Sequence, residues 1–293
     1  MEQFKDATSD TRVPSASVSA GSETDTHDPD RFKLKFLPDD YDRLLAIAMR
    51  RRSCREFSEE PIPEGYLEKV LEVSRWAMSG ANSQPWSFIV VKDRDVIRQL
   101  FEAHIHDNME YAFWVEQQRA FEYRHPGFMV QEEDPKKALQ IKQSCRLWRD
   151  VPAVIAVVAD GRKQWGSVLV SNTSGTRNSQ MTDSISNCTM LIHLAAASLG
   201  LSTQWVTIHM EGPYRRILGV PEPLFLHTLI PIGYPAKLLR GCWKEKIANV
   251  THYDHYDMGK HLDHRQALDR LAKIRVLSKQ AYRTMLEESS VPQ

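Results

Sequence analysis

Apolar residues recur along the chain at two different spacings, which predict a mixture of helices and strands. Apolar positions three and four residues apart indicate helices, whereas short apolar runs bounded by Gly, Pro or Asn indicate strands. On this basis, helices are predicted at about residues 40–52, 64–78, 93–104, 182–199, 213–218 and 265–287. Strands are predicted at residues 86–91, 151–159, 203–208 and 227–234.

Three of these segments carry features that predict where they lie in the fold. The run Val151–Ala159 is apolar throughout, which is typical of a strand buried on both faces. Pro231 lies inside the last predicted strand and cannot donate a ladder hydrogen bond, so this strand is expected at a sheet edge or a bulge. The helix before Gly200 is apolar around most of its circumference. It should be buried on nearly all sides, within one subunit or against a symmetry mate.

The distribution of polar residues predicts one folded domain with a tail and two insertions. Residues 1–33 are rich in Ser, Thr, Asp and Glu, so we expect a disordered acidic tail. Residues 34–293 show no composition shift and are expected to form a single domain. Residues 105–150 are charged and aromatic, and form either a helical excursion on the surface or a lid over a substrate pocket. Residues 161–181 are predicted to be a mobile loop.

Composition narrows the classes of function. The formal net charge is +0, which gives no general basic field for nucleic acid or an anionic membrane. No apolar run reaches the roughly 18 residues needed to span a bilayer, and the first residues lack the layout of a signal peptide. The four cysteines are scattered without a Cys-x-x-Cys pair, which fits a reducing cytoplasm. We therefore expect a cytoplasmic protein whose partners are neither nucleic acids nor membranes.

A cluster of positive charge, Arg51-Arg52-Ser53-Cys54-Arg55, stands at the end of the first predicted helix. Arginine is a planar fork of hydrogen-bond donors that stays charged at physiological pH, and a serine hydroxyl adds a further donor. Such a cluster suits a phosphate group. The alternative is a solvated basic helix end, where cations complement the helix dipole.

A second motif, Ser79-Gly80-Ala81-Asn82-Ser83-Gln84-Pro85-Trp86, leads directly into a predicted strand. Small and amide residues followed by Pro predict a tight loop. The amides of Asn82 and Gln84 offer donors and acceptors together, which the edge of a heteroaromatic ring requires. The loop therefore favours the ligand-binding interpretation of the arginine cluster.

This pair of motifs resembles the nitroreductase family of FMN flavoproteins. Later segments resemble the same family in the same order: Ala-x-x-Leu-Gly-Leu at the end of the long helix, the strand with Trp205, Leu-Gly-Val-Pro-Glu at 218–222 and Ile-Gly-Tyr-Pro-Ala at 232–236. The resemblance covers about residues 40–255, with gaps at the two insertions. It implies an α+β fold with a central, mostly antiparallel sheet flanked by helices, in an intertwined homodimer that binds FMN at its interface.

The resemblance assigns the arginine cluster to the phosphate and ribityl chain of FMN, and the second motif to the flavin ring. That loop comes from the same subunit or its neighbour, with Asn82 at the polar ring edge and Gln84 supporting the loop. Val206 and Thr207 correspond to the groups that lie beside the reactive N5 of the flavin. Lys244 and Lys246 correspond to a basic pair that closes on the phosphate. In the basic pair the family usually has Arg and then Pro, whereas this chain has Lys246 and then Ile247, which leaves the choice between its lysines open. The cofactor residues so implied are Arg51, Arg52, Ser53, Arg55, Ser79, Asn82, Gln84, Val206, Thr207, Lys244 and Lys246.

The implied function is that of an FMN-dependent oxidoreductase. FMN would take electrons from NADH or NADPH and pass them to a planar, electron-poor substrate, such as a nitroaromatic or a quinone, in a ping-pong cycle. The chain has no Gly-x-Gly-x-x-Gly after a strand, so no separate dinucleotide fold is expected. One alternative is reductive dehalogenation of halogenated phenols, with Thr207 as a hydroxyl near N5 or simply as an ordinary strand residue. A second alternative is a non-catalytic FMN carrier or sensor whose insertions block the pocket.

Two other groups of residues are not assigned to a site. Two His-x-x-His pairs have the spacing of zinc ligands but no nearby cysteine, so they are interpreted as surface or interface histidines and no metal is expected. These are His252, His255, His261 and His264. Cys54, at the variable position of the first motif, is interpreted as a spacer because no base lies near it in sequence.

Overall fold

A computed structural model describes residues 37–119, 147–163, 180–239 and 242–289. The chain divides between Asp42 and Arg43 into two units, and the central sheet belongs to the second, larger one. The predicted tail lies outside the described residues, as do most of the 105–150 insertion and most of the 161–181 loop. Their conformations therefore stay predictions.

The helices and strands follow the predicted order, and the α+β class is confirmed. The helices are α1 (Pro38–Arg50), α2 (Tyr66–Ser74), α3 (Arg94–Ala103), α4 (Glu110–Gln117), α5 (Gln180–Ser198), α6 (Gly212–Leu218), α7 (Ile247–Val250) and α8 (His264–Ser289). The strands are β1 (Trp86–Val91), β2 (Ala153–Asp160), β3 (Ser202–Thr203), β4 (Val206–Thr207) and β5 (Leu224–Gly233). None of the helices in the described ranges has the length and apolar content that crossing a lipid bilayer requires.

The five strands form one sheet in the order β1-β2-β5-β3, with β4 also paired to β5. Each of these pairings is antiparallel. The sheet is covered on both faces, because successive residues of β2 enter two separate cores. Val154 and Ala156 pack with residues of α3 and α6, whereas Ile155 and Val157 pack with residues of α2 and α5. The continuous apolar run of β2 is thus explained by burial on both faces, as predicted.

The prediction that Pro231 marks a sheet edge or a bulge is wrong. β5 lies inside the sheet, with β2 on one side and β3 and β4 on the other, and the register shift between β2 and β5 lies elsewhere, at Val157/Val158. The carbonyl of Pro231 accepts a hydrogen bond from Gln204 N at 3.1 Å. In a strand the nitrogen and the carbonyl of one residue point to the same side, so the missing N–H of Pro231 also faces the neighbouring segment that contains Gln204. That neighbour is itself interrupted there, since Gln204 separates β3 from β4 where one strand was predicted. The missing donor therefore coincides with a gap in the adjoining strand.

The long helix α5 is buried except along one stripe. Ile185, Cys188 and Ile192 have no exposed surface and fill the core beneath β2. On the opposite side Met190 is 49 % exposed, in line with exposed Asp183 and Asn187. After the helix ends, Gly200 has φ of 78°, the left-handed cap predicted for it. Among the described residues, none covers this stripe of the apolar helix.

Candidate functional site

The arginine cluster is an extended segment that leaves α1 and runs beside β3. Cys54 N donates to Thr203 O at 2.9 Å, and Ser53 forms a parallel bridge with the same residue. Further along, Phe57 bridges Pro235. Cys54 and Phe57 are buried in the core, so they anchor the segment against the sheet.

Burial alternates along this segment, because side chains of an extended chain point to opposite sides. Ser53 and Arg55 are exposed, whereas Cys54 between them is 1 % exposed and its Sγ donates to Glu56 O at 3.1 Å. Burial raises the pKa of the Cys54 thiol to about 11. A thiol kept protonated in this way is a poor nucleophile, and the geometry agrees with a spacing role for Cys54.

The two leading arginines have different surroundings. Arg52 Nη1 donates to the main-chain carbonyls of Met49 and Arg51, the second at 2.9 Å, and so caps the last turn of α1. Arg51 lies close enough to His193 of α5 for its charge to act on that ring: burial first, and then Arg51, lower the pKa of His193 to about 4. Arg52 is therefore engaged with its helix end, while Arg51 stands beside a buried neutral histidine.

A pocket of about 680 Å³ lies next to Arg52. This is within the roughly 300–1,000 Å³ typical of small-molecule sites. Its cationic lining is Arg50, Arg52 and Lys237, and its apolar lining is Met49, Pro235, Leu238 and Leu239. Lys237 also bonds Glu56 Oε1 at 2.6 Å. Arg50 and Lys237 were not predicted as site residues, although Lys237 directly follows the Gly-Tyr-Pro-Ala segment and Arg50 directly precedes the first motif.

The second motif forms a strained turn. Ala81, Asn82 and Gln84 have φ of 51°, 51° and 45°. Each such non-glycine residue costs of the order of 1–2 kcal/mol, and strain of this kind clusters at functional sites. The turn is held by two of its own residues: Gln84 N donates to Ser79 Oγ at 3.0 Å and Gln84 Nε2 donates to Asn82 O at 3.3 Å. Ser79 and Gln84 thus fix the shape of the turn, and Asn82 is exposed on it.

The two motifs are attached to opposite ends of α5. Gly80 N donates to Ser184 Oγ at 3.3 Å, near the start of the helix. Arg51 acts on His193, nine residues further along. At a rise of about 1.5 Å per residue, these positions are roughly 14 Å apart along the helix axis. One chain therefore places the two motifs at two points along the same helix.

The residues of β4 present two different groups to their surroundings. Val206 is 1 % exposed and its carbonyl accepts from Thr228 Oγ1 at 2.8 Å. Its side chain packs in the core, so what this position can offer a ligand is main chain. Thr207, the next residue, is exposed. Of the predicted pair beside N5, only Thr207 has a side chain at the surface.

The predicted lysine pair lies in a segment attached to α8. Lys244 and Lys246 are both exposed. Glu245 between them pairs with Arg270 of α8 and accepts from Asn249 Nδ2 at 2.7 Å. These bonds, with Arg270 first, lower the pKa of Glu245. Among the described residues, no group of three or more His, Cys, Asp or Glu is arranged to hold a metal ion.

Comparison with known proteins assigns the family. The sequence model of the Nitroreductase family matches residues 48–234, and the chain belongs to this family. It is similar to NADH dehydrogenase of Thermus thermophilus, with 29% identity over 201 residues, 65% of this chain and 85% of that protein. It is also similar to iodotyrosine deiodinase of Danio rerio, with 28% identity over 240 residues, 80% of this chain and 71% of that protein.

Solved structures share the fold. A BluB-like flavoprotein from Clostridium difficile matches with a TM-score of 0.55 and 17% identity, over 72% of this chain and 99% of its own. Oxidised iodotyrosine deiodinase bound to FMN and 3-iodo-L-tyrosine matches with a TM-score of 0.52 and 19% identity, over 73% of this chain and 100% of its own. At these identities the matches establish the architecture, which is the predicted sheet flanked by helices.

Proposed function

We propose that this protein is an FMN-dependent oxidoreductase that takes electrons from NADH or NADPH and reduces a planar, electron-poor aromatic substrate. The observation that carries the proposal is a cationic segment and a strained amide turn on one central helix, where a phosphate and a ring edge would be held. The family supports it, as do relatives named NADH dehydrogenase and iodotyrosine deiodinase, the latter with FMN in a solved structure.

We propose that the two motifs hold the same ligand across two chains. A symmetric dimer can pair α5 with the α5 of a second copy in antiparallel fashion around a two-fold axis. The open stripe of α5 is exposed at Met190, near the midpoint between Ser184 and His193. We infer that an axis at this point brings the Gly80 turn of one chain towards the Arg51 segment of the other.

Apolar surface elsewhere supports the dimer. Large apolar side chains are also exposed on α1, after α2 and on α8, and exposed apolar surface is a feature of interaction sites. They include Leu44 and Met49 of α1, Trp76 and Met78 after α2, and Leu271 and Val276 of α8. The stripe of α8 that one chain leaves partly open would be covered by the second copy.

Within this site each residue has a role that its chemistry allows. Arg51 and Arg55 would neutralise the phosphate and Ser53 would donate a hydrogen bond to it, because bonds assisted by charge are the strong ones. Asn82 would bond the polar ring edge, and Ser79 and Gln84 would keep its turn in shape. Lys244 or Lys246 of the exposed pair would close on the phosphate. When bound, FMN supplies transfer of a hydride or of single electrons between donor and acceptor.

Thr207 would lie beside the reacting edge of the ring. Its hydroxyl can donate a hydrogen bond there, whereas Val206 can offer only main chain because its side chain is in the core. Nucleotide and acceptor would use this face in turn, which gives ping-pong kinetics. The 105–150 segment would close over the face as a lid and select planar acceptors.

Reductive dehalogenation of halogenated phenols is the second candidate. The alignment with Danio rerio iodotyrosine deiodinase covers 80% of this chain, against 65% for the Thermus thermophilus NADH dehydrogenase. The exposed hydroxyl of Thr207 is the group that this chemistry would use. Conversion of Thr207 to Ala should then reduce halide release far more than nitro or quinone reduction.

Purified protein tests these proposals. We expect a yellow protein whose released chromophore is FMN, which NADH or NADPH bleaches anaerobically and which a nitroarene or quinone restores. Faster restoration by a halophenol, with halide release, would favour the second candidate. A colourless protein that takes up no added FMN would contradict the proposal. A yellow protein that oxidises neither nucleotide with any of these acceptors would favour a carrier or sensor.

A further inference from the structure

His193 is a buried polar residue of α5 for which the proposed function has no use. It is 7 % exposed, and its Nδ1 lies 2.6 Å from Thr203 Oγ1. The ring stacks on Trp205, with centroids 6.0 Å apart. The imidazole is one of three buried polar side chains on α5, with those of Ser184 and Thr189, and polar groups are retained in cores when they are satisfied or used.

Thr203 connects His193 to the arginine cluster. Its hydroxyl meets the imidazole, while its carbonyl accepts from Cys54 N at 2.9 Å and its backbone bridges Ser53. Thr203 is 2 % exposed, so this connection is sealed from water. The position of the arginine segment therefore depends on a residue that His193 holds from the other side.

The charge that acts on His193 comes from the arginine cluster. Arg51 is the charged group that acts on the ring, and the contacts from β3 and beyond are the uncharged Thr203 and Trp205. His227 lies on the other side of Trp205, with ring centroids 5.5 Å apart, and is a titratable group of β5. Burial and then Arg51 lower the pKa of His193 to about 4. An anion bound at Arg51 would offset the second of these causes.

We propose that His193 and Thr203 are positioning residues for the anion-binding segment Arg51–Arg55, and that in mildly acidic solution His193 takes up a proton when an anion binds there. This inference rests on the proposed function, because it concerns the same site. Coupling between two bound species is reciprocal, so protonation of His193 must favour the anion by the factor by which the anion favours the proton. A rise of about one pKa unit corresponds to roughly tenfold tighter binding to the protonated form.

The direct test follows the His193 ring by NMR in the wild-type protein. Titrations are recorded without ligand, with sodium sulfate and with FMN; sulfate is a suitable probe because it stays dianionic over the range used. We expect the His193 signal to titrate about one unit higher with either ligand. A titration of His193 that is the same with and without ligand would overturn the proposal.

A variant separates proton uptake from packing. His193→Gln keeps a hydrogen-bonding side chain for Thr203 but does not titrate, and His255→Gln is the matched control at an exposed position. Between pH 7.5 and pH 4.5, FMN binding to wild type and to His255→Gln should strengthen about threefold relative to His193→Gln, as a one-unit linkage requires. Titration of the FMN phosphate affects all three proteins alike and cancels in the ratio.

The outcomes of this comparison are distinct. Equal pH dependence in wild type and His193→Gln overturns the inference and leaves the proposed function standing. Failure of the wild-type protein to bind FMN at any pH refutes the proposed function and this inference together. If the variant does not fold, the wild-type NMR titration decides.

Thr203→Val tests the positioning role. Valine keeps the volume but removes the hydroxyl, and the main-chain bond from Cys54 remains. Affinity for FMN should fall about tenfold at every pH, because without the hydroxyl the imidazole no longer holds Thr203, and with it the arginine segment, in place for the phosphate. Unchanged affinity in a folded Thr203→Val protein would overturn the positioning role.

Discussion

The free energy of unfolding should fall as the pH is lowered, because the partly buried imidazole of His104 is held in its neutral form. Its Nδ1 is buried without a hydrogen-bond partner among the described residues, and its ring lies 5.6 Å from that of Trp148, centroid to centroid. Burial, and then the charge of His209, lower the pKa of His104 from 6.5 to about 4. Since the folded-state pKa is the lower one, the stabilisation is complete above about pH 6.5 and is lost as the pH falls from there towards 4.

The size of the effect follows from these two pKa values. At pH 5 the unfolded histidine is almost fully protonated, whereas about one folded molecule in ten carries the proton. The free energy of unfolding at pH 5 should therefore be about 2 kcal/mol lower than at pH 7.5 on account of His104 alone.

Urea unfolding of wild type and His104→Leu at the two pH values measures this contribution. Leucine fills the site without titrating, and His255→Gln serves as the exposed control. Protein concentration is kept constant, because association contributes to stability. Wild type and control should lose about 2 kcal/mol more than His104→Leu between pH 7.5 and pH 5. Equal losses in all three proteins would refute the burial argument.

Three further predictions concern the site and its interface. Ala81→Gly should raise the free energy of unfolding by about 0.5–1 kcal/mol, because glycine relieves left-handed strain at an exposed position; thermal unfolding checks it, and a destabilised variant would contradict the strain. Cys54 should resist iodoacetamide at pH 8, since at a pKa of about 11 only about one thiol in a thousand is ionised. The half-exposed Cys242 should react, and mass spectrometry distinguishes the two. Met190→Asp should convert the dimer to monomers and remove FMN affinity at the same time; sedimentation showing an intact dimer would place the two-fold axis elsewhere.

Elements whose signals are local were predicted well from the sequence. β1 occupies the predicted residues Trp86–Val91. Asp93 caps α3 as expected, with its carboxylate accepting from Asp95 N and Val96 N. The left-handed Gly200 ends α5 for the same reason, since a helix end depends on the residues next to it.

Features that depend on distant residues were missed or mispredicted. Whether Pro231 is tolerated inside the sheet depends on the gap at Gln204, which lies in a different strand. Besides its own hydrogen bonds, the Ser79–Gln84 turn is held by two distant residues, with Ser184 Oγ at 3.3 Å from Gly80 N and Lys163 Nζ at 3.1 Å from Gln84 O. No periodicity in the sequence predicts such contacts, because each joins segments far apart in the chain.

In the candidate site, too, local signals could be found from the sequence, whereas contacts between distant residues could not. Arginines and amides at suitable spacing could be found by their chemistry, and the family resemblance supplied their order. The contact between His193 and Thr203 could not be found, because an isolated histidine in a helix gives no sign of which distant residue it will meet. The positions of the two motifs along α5 likewise became visible only in the folded chain.

The central claim is that the Arg51 segment of one chain and the Asn82 turn of another hold a single FMN. Arg51→Ala and Asn82→Ala homodimers should both bind FMN weakly, since each lacks one half of every site. A mixed dimer of the two variants, co-expressed with different tags and purified through both, contains one site with both substitutions and one with neither. Titration of this mixed dimer should reveal one FMN bound with wild-type affinity per dimer; no site of wild-type affinity would contradict the shared site.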